Sequence, residues 1–492
     1  MQQTLDFSNV PSSVRQFGIY LDGEMKPSQS GKFTVRYSPA HDCPVTEIAC
    51  AGIDDVDLAV ASARKSFDNK VWSGKSGAER AGVLLKAAAL IRERQSEIAY
   101  WETLETGKPI SQTNGEVSGC ADMFEYASGL SRTINGESYN NLGEQLFGVV
   151  TREPVGVVGL ITPWNFPFLI LCERVPYILA AGCTIVAKPS EYTSATTLIL
   201  AEILTSAGLP NGVMNVVTGT GPVVGQALCE NRNVDMISFT GSTAVGKNVI
   251  CASGETNFKK LGLELGGKNP QIVFSDANLH DAADGVAFGM CFNTGQCCVS
   301  GSRLLVERDV MSKFTELLKE KLGKVIVGDP LNPSTQMGAI TTDAQNTTIL
   351  SYIKKGEAEG AVMSFGCGEI KTKNGQFVGP VVFEDVHPSM SIFRDEIFGP
   401  VISVTPFDTV EEAIMLANDT DYGLAAGVFT KDVDMATKTA SRLNGGQVYV
   451  NSWFTGSIAT PFGGYKQSGY SREKGQQAIK SYLQLKNVGI QL

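Results

Sequence analysis

Residues 155 to 162 read Val-Gly-Val-Val-Gly-Leu-Ile-Thr, a continuous apolar run that ends at Pro163-Trp-Asn-Phe-Pro167. A helical pattern follows over residues 169–181, and a second apolar run covers Thr184 to Lys188. Such runs are typical of strands that are buried on both faces of a parallel sheet and joined by helices. The stretch therefore predicts a doubly wound α/β domain.

The same alternation continues on the C-terminal side. A helix is predicted over 194–207, and strands over 213–217 and 235–240. After Gly267 a second alternation begins, with a strand at 271–274, helices at 310–322 and 343–359, and strands near Val381, Val401, Val428 and Val448. We therefore expect a second α/β domain. In sheets of this kind, ligands bind at the carboxyl ends of the strands.

The pattern differs on the N-terminal side. Residues 18–26 predict a β-hairpin that turns on Asp22-Gly23, and helical patterns follow over 54–68, 76–107 (with a break) and 115–131. These helices are interpreted as packing elements without a chemical role. The segments 145–150 and 482–490 are strand-like and belong to neither core. They predict an oligomerisation arm or, alternatively, terminal edge strands of the chain's own sheets.

The composition narrows the class of protein. A chain of 492 residues with 43% hydrophobic residues exceeds what one core supports, roughly 250–300 residues. The formal charge of −10, without a long basic run, argues against nucleic acid or an anionic membrane surface as a partner. Residues 1–11 lack the features of a secretory signal, and no apolar segment is long enough to span a bilayer. We therefore expect a cytoplasmic protein.

The cysteine and histidine content argues against disulfides and structural zinc. The chain has eleven cysteines, an odd number, and only three histidines. Cys297 and Cys298 stand out, because they occupy the small-residue loop Phe292-Asn-Thr-Gly-Gln-Cys-Cys-Val-Ser-Gly-Ser-Arg303 between a predicted helix (281–290) and a predicted strand (303–307). Either they carry chemistry, as loop residues on a rigid scaffold often do, or they are small buried hydrophobes.

Three glycine-containing or charged stretches are candidates for binding a dinucleotide. Gly219-Thr-Gly221-Pro-Val-Val-Gly225 narrowly misses the G-x-G-x-x-G pattern, so a plain turn explains it better. Phe239-Thr-Gly-Ser-Thr-Ala-Val-Gly246 follows a predicted strand and opens a helix whose N-terminus favours a pyrophosphate, although a capping turn explains it equally well. Lys188-Pro-Ser-Glu191 could bracket ribose hydroxyls, with a carboxylate that repels a 2′-phosphate, or could be a surface pair.

Three further polar residues lie in apolar or rigid settings. Asn165 stands between two prolines, so its amide is a candidate donor to an oxyanion, or a turn residue that bonds its own backbone. Glu264 and Glu396 each lie in apolar segments that end in glycine. Burial raises the pKa of a glutamate towards the range that a general base needs, but either residue could simply end a strand.

Taken in order, these motifs resemble the aldehyde dehydrogenase superfamily over nearly the whole chain. Pro461-Phe-Gly-Gly-Tyr-Lys-Gln-Ser-Gly469 is also similar to the family's C-terminal signature. In the family the nucleophilic cysteine stands two residues after the Gly-Gln pair, which selects Cys298, and the segment resembling Leu263 to Lys268 carries the general base, which selects Glu264. The resemblance implies an NAD-dependent, hydrolytic enzyme without the usual glycine fingerprint, active as a homodimer or homotetramer, with Asn165 as the oxyanion donor and no metal.

The resemblance also implies a division of the chain and of the site. It implies an NAD-binding domain (1–135 and 148–262), a catalytic domain (263–445) with a tail (446–477) that closes the active site, and a β arm (136–147 and 478–492). Implied cofactor residues are Ile161, Thr162, Pro163, Trp164, Lys188, Ser190, Glu191, Gly221, Phe239, Thr240, Gly241, Ser242, Val245, Leu265, Gly266, Glu396 and Phe398. Implied substrate-tunnel residues are Phe166, Glu173, Cys297, Val299, Trp453, Phe454 and Phe462.

The substrate and the reaction type leave alternatives. Glu173 falls where many relatives carry an aromatic residue, and a carboxylate beside Trp453 and Phe454 favours an amino or betaine-type aldehyde. Alternatively, Glu173 pairs with Arg174 and only shapes a helix, or Arg174 favours an acidic semialdehyde; aromatic and aliphatic aldehydes also remain open. The rival reactions are a cysteine hydrolase, which the scarcity of histidine disfavours, and a CoA-acylating dehydrogenase, which would not need Glu264 as a base.

Overall fold

The computed structural model describes residues 13–366, 368–370, 372 and 375–492. The segment used above to argue against a secretory signal, residues 1–11, lies outside them. Within the described ranges, no helix is both long and apolar enough to cross a membrane.

Strands and helices alternate along most of the chain. The strands are β1 Arg15–Phe17, β2 Ile19–Leu21, β3 Glu24–Lys26, β4 Phe33–Tyr37, β5 Pro44–Ala49, β6 Glu137–Tyr139, β7 Leu146–Pro154, β8 Val157–Ile161, β9 Thr184–Lys188, β10 Met214–Val216, β11 Met236–Thr240, β12 Lys260–Glu264, β13 Pro270–Val273, β14 Arg303–Glu307, β15 Val362–Phe365, β16 Glu369–Ile370, β17 Phe377–Val378, β18 Val381–Glu384, β19 Val401–Phe407, β20 Tyr422–Gly423, β21 Ala425–Phe429, β22 Gln447–Val450, β23 Tyr465–Lys466 and β24 Leu483–Gln491. The α-helices are α1 Ile53–Asp68, α2 Gly77–Glu93, α3 Gln95–Thr106, α4 Ile110–Ser131, α5 Pro167–Cys172, α6 Val175–Ala181, α7 Ala195–Ala207, α8 Gln226–Glu230, α9 Thr243–Glu255, α10 Leu279–Cys291, α11 Met311–Leu322, α12 Asp343–Ala358, α13 Ser391–Arg394, α14 Val410–Asn418, α15 Val433–Arg442 and α16 Gly475–Ser481.

The first large sheet confirms the doubly wound prediction. Its strand order is β12-β11-β8-β9-β10-β2-β3, and β12 to β10 run parallel. Val158, Leu160 and Ile185 pack into a core with helices α2 to α7, while Val157, Ile161 and Val186 pack into another with α1, α8 and α9. Successive residues of one strand point to opposite faces, so a strand covered on both sides must be apolar throughout.

The helix predicted over 169–181 is two helices. α5 ends at Cys172, and α6 begins at Val175 with Pro176 in its first turn. A proline ring inside a continuous helix would clash with the carbonyl of the residue four positions earlier, so the chain breaks at Glu173-Arg174 and restarts. The break matters because it places these two charged residues beside the cavity described below.

The second large sheet has the order β15-β18-β19-β14-β13-β21-β22, with β15 antiparallel and the other strands parallel. All the strands predicted for this region are present. β22 is part of the sheet although it lies beyond residue 445, where the domain was expected to end.

The two strand-like segments outside the main cores pair with each other. β24 runs antiparallel to β7 from Leu483 opposite Pro154 to Gln491 opposite Leu146, and β6 adds a third strand. β24 is exposed after Leu483, whereas the preceding Tyr482 is buried in the core of the first domain. β7 runs across the expected boundary at residue 148 and ends at Pro154.

Candidate active site

The two cysteines lie in a loop with unusual backbone geometry. α10 ends at Cys291, and both Asn293 (φ 49°) and Thr294 (φ 56°) adopt the left-handed conformation. Gly295 follows at φ 71°, and a Cβ there would lie 2.3 Å from the carbonyl carbon of Gly399. Positive φ is costly for residues other than glycine and persists where surrounding structure enforces it, commonly at functional sites. The loop is therefore held in one shape before any substrate arrives.

The backbone from Cys298 to Ser300 is held by Asn269, the residue directly before β13. The side-chain amide of Asn269 donates to the carbonyl oxygens of Cys298 (2.9 Å) and Ser300 (2.8 Å). A Cβ at Gly267 would lie 2.3 Å from the Cys298 carbonyl oxygen. The glycine after Glu264-Leu-Gly is thus required for the close approach of the cysteine loop to the end of β12.

Cys298 is partly exposed and Cys297 is buried, and both line one cavity of about 270 Å³. A hydrogen bond with the Cys297 thiol and burial raise the pKa of Cys298 well above its ordinary value, and the charges of Glu396 and Glu173 act in the same direction. Because the thiolate is the nucleophilic form, Cys298 needs a proton acceptor to react.

Glu264 ends β12 and lines the same cavity as Cys298. The Ser471 hydroxyl donates to its Oε1 atom at 3.2 Å, while its Oε2 atom is buried without a hydrogen-bond partner among the described residues. Burial, and next the neighbouring Glu473, raise the pKa of Glu264 well above its ordinary range, with Arg174 opposing the shift. A carboxyl with a raised pKa is a stronger proton acceptor once it is ionised.

Asn165 does not line this cavity but is tied to the cysteine loop. Its Nδ2 atom donates to the carbonyl oxygen of Gln296 at 3.0 Å. The Asn293 amide donates to the carbonyl oxygens of Asn165 (3.0 Å) and Gln296 (3.1 Å). Two side-chain hydrogen bonds therefore join the turn between the prolines to the loop before Cys298, and a third closes the loop on itself. Asn293 takes part in two of them, and the sequence did not single it out.

The buried Lys108 packs against the same turn. The Lys108 ammonium lies 3.1 Å from Glu102, 2.6 Å from Glu116 and 4.0 Å from the centre of the Phe166 ring. Glu102 also accepts a hydrogen bond from the backbone N–H of Phe168 at 3.3 Å. The N-terminal helices, interpreted above as packing alone, thus place a charged cluster behind the cavity wall. Only the Gly107-Lys-Pro interruption of the helical pattern could have indicated it.

The wall of the cavity is mainly aromatic and aliphatic. The Phe166 and Phe292 rings stack at 5.9 Å, and Phe292 meets Phe454 at 5.1 Å. Of the predicted tunnel residues, the lining includes Phe166, Glu173, Cys297, Val299, Phe454 and Phe462. Trp453 is not among the lining residues; it is buried behind them and donates to the Val299 carbonyl at 3.1 Å.

Known proteins that are similar to this chain belong to a family that agrees with this arrangement of residues. A model described as the Aldehyde dehydrogenase family matches residues 25–488. The chain belongs to the aldehyde dehydrogenase family. It is 47% identical to an NAD-dependent aldehyde dehydrogenase of known structure from Sinorhizobium meliloti, with a TM-score of 0.96 over 97% of this chain and 95% of that one.

Two further members of the family are similar over nearly their whole length. The indole-3-acetaldehyde dehydrogenase AldA of P. syringae, solved in complex with NAD⁺, is 40% identical with a TM-score of 0.95, and 96% of each chain is covered. The putative aldehyde dehydrogenase DhaS of Bacillus subtilis (strain 168) is 41% identical over 475 residues, which is 96% of this chain and 95% of DhaS. This aldehyde dehydrogenase is thus an oxidoreductase that uses a nicotinamide cofactor.

The predicted cofactor residues of the dehydrogenase gather at one edge of the first sheet. Ile161, Lys188 and Thr240 end β8, β9 and β11, while Leu265 and Gly266 follow β12. Thr162, Pro163, Trp164, Ser190 and Phe239 belong to the same strand ends. Lys188 is almost completely buried and its ammonium lies 3.3 Å from Glu191. Lys188 is therefore part of the strand edge, whereas the Glu191 side chain is 31% exposed.

The two glycine stretches fold as turns with different geometry. Gly221 opens a single π-helical turn, Gly221–Gly225, before α8. Ser242 caps α9 by accepting from the N–H of Val245 at 3.3 Å, so the capping interpretation is confirmed for this residue. A Cβ at Gly241 would lie 2.5 Å from the Phe239 ring, and Val245 is exposed. The exposed N-terminus of α9, preceded by a glycine, is a suitable place for a dinucleotide phosphate.

Glu396 and Phe398 join this edge from the second domain. The backbone N–H of Gly267 donates to Glu396 Oε1 at 3.0 Å, and a Cβ at Gly266 would lie 2.2 Å from Oε2. Burial raises the pKa of Glu396 to about 7. Phe398, at φ 59°, meets Trp164 edge-to-face at 5.4 Å. The candidate cofactor residues of the two domains therefore contact each other. The buried Thr162 hydroxyl at the strand edge has no hydrogen-bond partner in the part of the chain that the structure describes, which fits a polar ligand there.

Proposed function

We propose that this dehydrogenase oxidises its aldehyde on Cys298 and hydrolyses the resulting thioester with a water activated by Glu264. The observation that carries the proposal is that both side chains line one 270 Å³ cavity, although Glu264 comes from the end of the first sheet and Cys298 from a loop of the second domain. A covalent intermediate splits one difficult oxidation into two easier steps.

In the first half of the reaction, Glu264 is the acceptor for the thiol proton, directly or through one water. The Cys298 sulfur then forms a bond to the aldehyde carbon, and the carbonyl oxygen becomes an oxyanion. An amide nitrogen carries two N–H donors, and Asn165 uses one to bond the Gln296 carbonyl. The other N–H and the backbone N–H of Cys298 are our candidates to hold the oxyanion.

The cofactor supplies the oxidising step: when bound, its nicotinamide accepts a hydride from the carbon attached to Cys298. We propose that Lys188 and Glu191 hold the adenosine ribose, that Ser242 holds the pyrophosphate, and that Glu396 and Phe398 hold the nicotinamide ribose. We propose the same ligand for the remaining predicted cofactor residues, including Gly221, Gly241 and Val245.

In the second half, Glu264 first releases the thiol proton to solvent and then takes a proton from the water that attacks the thioester. The C–S bond breaks, the carboxylic acid leaves, and Glu264 returns its proton to the Cys298 sulfur. The Oε2 atom of Glu264, which has no hydrogen-bond partner among the described residues, is the candidate acceptor of the water proton. One NADH and one acid are therefore expected per aldehyde, without CoA. A product that forms only when CoA is added would replace hydrolysis with acyl transfer.

Replacing Asn165 with alanine is expected to lower kcat by about 10²- to 10³-fold, the usual effect of losing one oxyanion donor, with a smaller change in KM. Stopped-flow measurement of NADH formation in the first turnover checks this, with Asn165→Ala compared against Asn135→Ala, a change at an exposed residue outside the cavity. An unchanged first-turnover rate would remove Asn165 from the oxyanion site.

NAD rather than NADP is the cofactor we propose, because the Glu191 carboxylate beside Lys188 would repel a 2′-phosphate. Glu191→Gln should therefore raise kcat/KM for NADP by about 10-fold, roughly the removal of one unfavourable charge contact, and should lower it for NAD. Initial rates with both cofactors test this, with the exposed Glu230→Gln as the control. Equal effects on both cofactors would contradict the role.

We also propose that the sheet of β6, β7 and β24 is an oligomerisation arm of a homodimer or homotetramer. The support is its exposed surface: Leu485, Val488 and Ile490 on β24 are apolar and exposed. Exposed strands of this length recruit further strands unless they are covered.

The choice of substrate depends on Glu173. A free carboxylate in the cavity would favour an amino or betaine-type aldehyde, as proposed from the sequence. In the structure, however, both carboxylate oxygens of Glu173 face a cation, Arg174 at 3.7 Å and Lys474 at 3.6 Å. This pairing supports the alternative of an internal charge network and weakens the argument for a cationic substrate.

A further inference from the structure

The cavity has a charged strip on one side of its otherwise apolar wall. Glu173, Arg174 and Lys474 all line it. Glu173 lies between the two cations, so this group of three carries one more positive than negative charge. None of the resemblances used above gave Lys474 a role.

The guanidinium of Arg174 is held by contacts with the protein. One of its terminal nitrogens donates to the Ile170 carbonyl at 2.9 Å and the other to the Thr240 hydroxyl at 2.7 Å. Its Nε atom lies 3.5 Å from Glu473, and only 2% of its side chain is exposed. Arg174 therefore fixes the end of α5 to the first sheet, and a side chain that is only 2% exposed has little access to a ligand.

Lys474 is placed differently. About 21% of its side chain is exposed, its ammonium lies 5.0 Å from the centre of the Phe462 ring, and its distance to Glu173 is 3.6 Å. A close charge-assisted hydrogen bond is about 2.7–2.9 Å long, and an ammonium has three donors. The contact with Glu173 therefore holds the ammonium near the wall and leaves donors for another acceptor in the cavity.

The backbone at Lys474 is held in an unfavourable conformation. Its φ of 58° with ψ of 171° lies in a region that residues with a Cβ rarely occupy. The neighbours enforce it: Glu473 and Phe462 exchange two backbone hydrogen bonds of 2.7 Å, and the N–H of Gly475 donates to the Ile458 carbonyl at 2.9 Å. Because Phe462 and Ile458 also line the cavity, this conformation fixes the lysine side chain at the cavity wall.

The nearby carboxyl groups of Glu264 and Glu473 face partners other than the Lys474 ammonium. Glu473 lies 3.5 Å from Arg174 Nε, and Glu264 Oε1 accepts from the Ser471 hydroxyl at 3.2 Å, so among the described residues neither carboxyl is paired with Lys474. A substrate ammonium would have to displace Lys474 from Glu173, whereas a substrate carboxylate could bind Lys474 with Glu173 left in place. The arrangement of partners around Lys474 thus favours an anion.

We propose that Lys474 determines specificity by binding a carboxylate at the end of the aldehyde remote from the carbonyl. The substrate class is then an ω-carboxy aldehyde whose apolar middle packs against Phe166, Phe454 and Phe462. This inference rests on the proposed oxidation at Cys298, because the carbonyl must lie at the sulfur while the carboxylate lies at Lys474.

The test uses rigid, matched aldehydes: 4-carboxybenzaldehyde, 4-methylbenzaldehyde and 4-(trimethylammonio)benzaldehyde, with succinic semialdehyde and butanal as a shorter pair. The wild-type enzyme should show at least about 10-fold higher kcat/KM for each carboxylate than for its neutral partner. Lys474→Met, which keeps the apolar stem, should lower kcat/KM for the carboxylates by about 10- to 100-fold, mainly through KM. The neutral aldehydes should change less than about 3-fold, and they show that the variant is folded.

Three further variants sharpen the result. Lys480→Met removes an exposed lysine from α16, the helix that follows Lys474, and should change none of the rates. Glu173→Gln should keep or raise the preference for the carboxylate, since it frees Lys474. Lys474→Glu should transfer the preference to the trimethylammonio compound.

The outcomes separate the two proposals. Equal rates for charged and neutral partners, or equal losses for all aldehydes in Lys474→Met, would overturn the role of Lys474 and leave oxidation at Cys298 intact. A wild-type preference for the trimethylammonio aldehyde that Glu173→Gln abolishes would replace it with the amine alternative. If no aldehyde in the set yields NADH, both proposals fail.

Discussion

Replacing Cys298 with alanine is expected to abolish aldehyde-dependent NADH formation, with a loss of about four orders of magnitude or more, as when the nucleophile of a covalent enzyme is removed. Without the sulfur no adduct forms, so no hydride donor is generated at the aldehyde carbon. NADH absorbance measured with a saturating aldehyde checks this, and intact-protein mass spectrometry should detect an acyl adduct on the wild type only.

Cys297→Ala is the matched control, because it removes the adjacent thiol from the same loop. This variant should stay active. Since the hydrogen bond with Cys297 is the largest cause of the raised pKa of Cys298, its loss should lower that pKa. The rate of alkylation by iodoacetamide should then rise with pH at lower pH values than in the wild type. If Cys297→Ala is inactive and Cys298→Ala is active, Cys297 and not Cys298 is the nucleophile.

Replacing Glu264 with glutamine is expected to slow steady-state turnover by about 10²- to 10⁴-fold, the usual contribution of a general base. Because Glu264 also accepts the thiol proton, the first turnover should slow too; where hydrolysis slows more, one equivalent of NADH appears as a burst and a thioester accumulates on Cys298. Rapid-mixing absorbance gives the burst, and mass spectrometry gives the adduct. Added hydroxylamine should release the acyl group and restore turnover.

The pH dependence should follow from the raised pKa of Glu264. A carboxyl with a raised pKa stays protonated to a higher pH than usual, so its basic form appears only as the pH increases through that pKa. Hydrolysis of the thioester should therefore fall as the pH decreases, and this limb should be absent in Glu264→Gln. The exposed Glu255→Gln, on α9, is the control. Normal turnover in Glu264→Gln would exclude it as the base.

Local sequence patterns predicted much of the fold because buried parallel strands have a distinctive composition. The run over Thr184–Lys188 is a strand with those bounds. The patterns failed where a single residue decided the outcome: Pro176 divides one expected helix into two. The pairing of β7 with β24 joins segments far apart in the chain, and a strand-like segment does not specify its partner.

The residues of the active site likewise fall into those that a local motif indicates and those that only the fold brings together. Cys298 and Glu264 lie in short motifs, so the sequence indicated them and the structure brings them to one cavity. The partners that hold them do not lie in motifs. Lys108 supports Phe166 only because α3 and α4 fold against α5, and Lys474 meets Glu173 only because the C-terminal tail returns to the break between α5 and α6. Contacts of this kind depend on tertiary structure and leave no local signal.

Part of the cavity wall comes from a segment that belongs to neither large sheet. Phe454, Ile458 and Phe462 belong to the stretch between β22 and β23, where the described chain forms no helix or longer strand. Substitutions there can alter which aldehydes enter at little cost to folding, whereas the cysteine loop is fixed by both domains. A protein built in this way can acquire new substrates, by evolution or by design, without having to reinvent its chemistry.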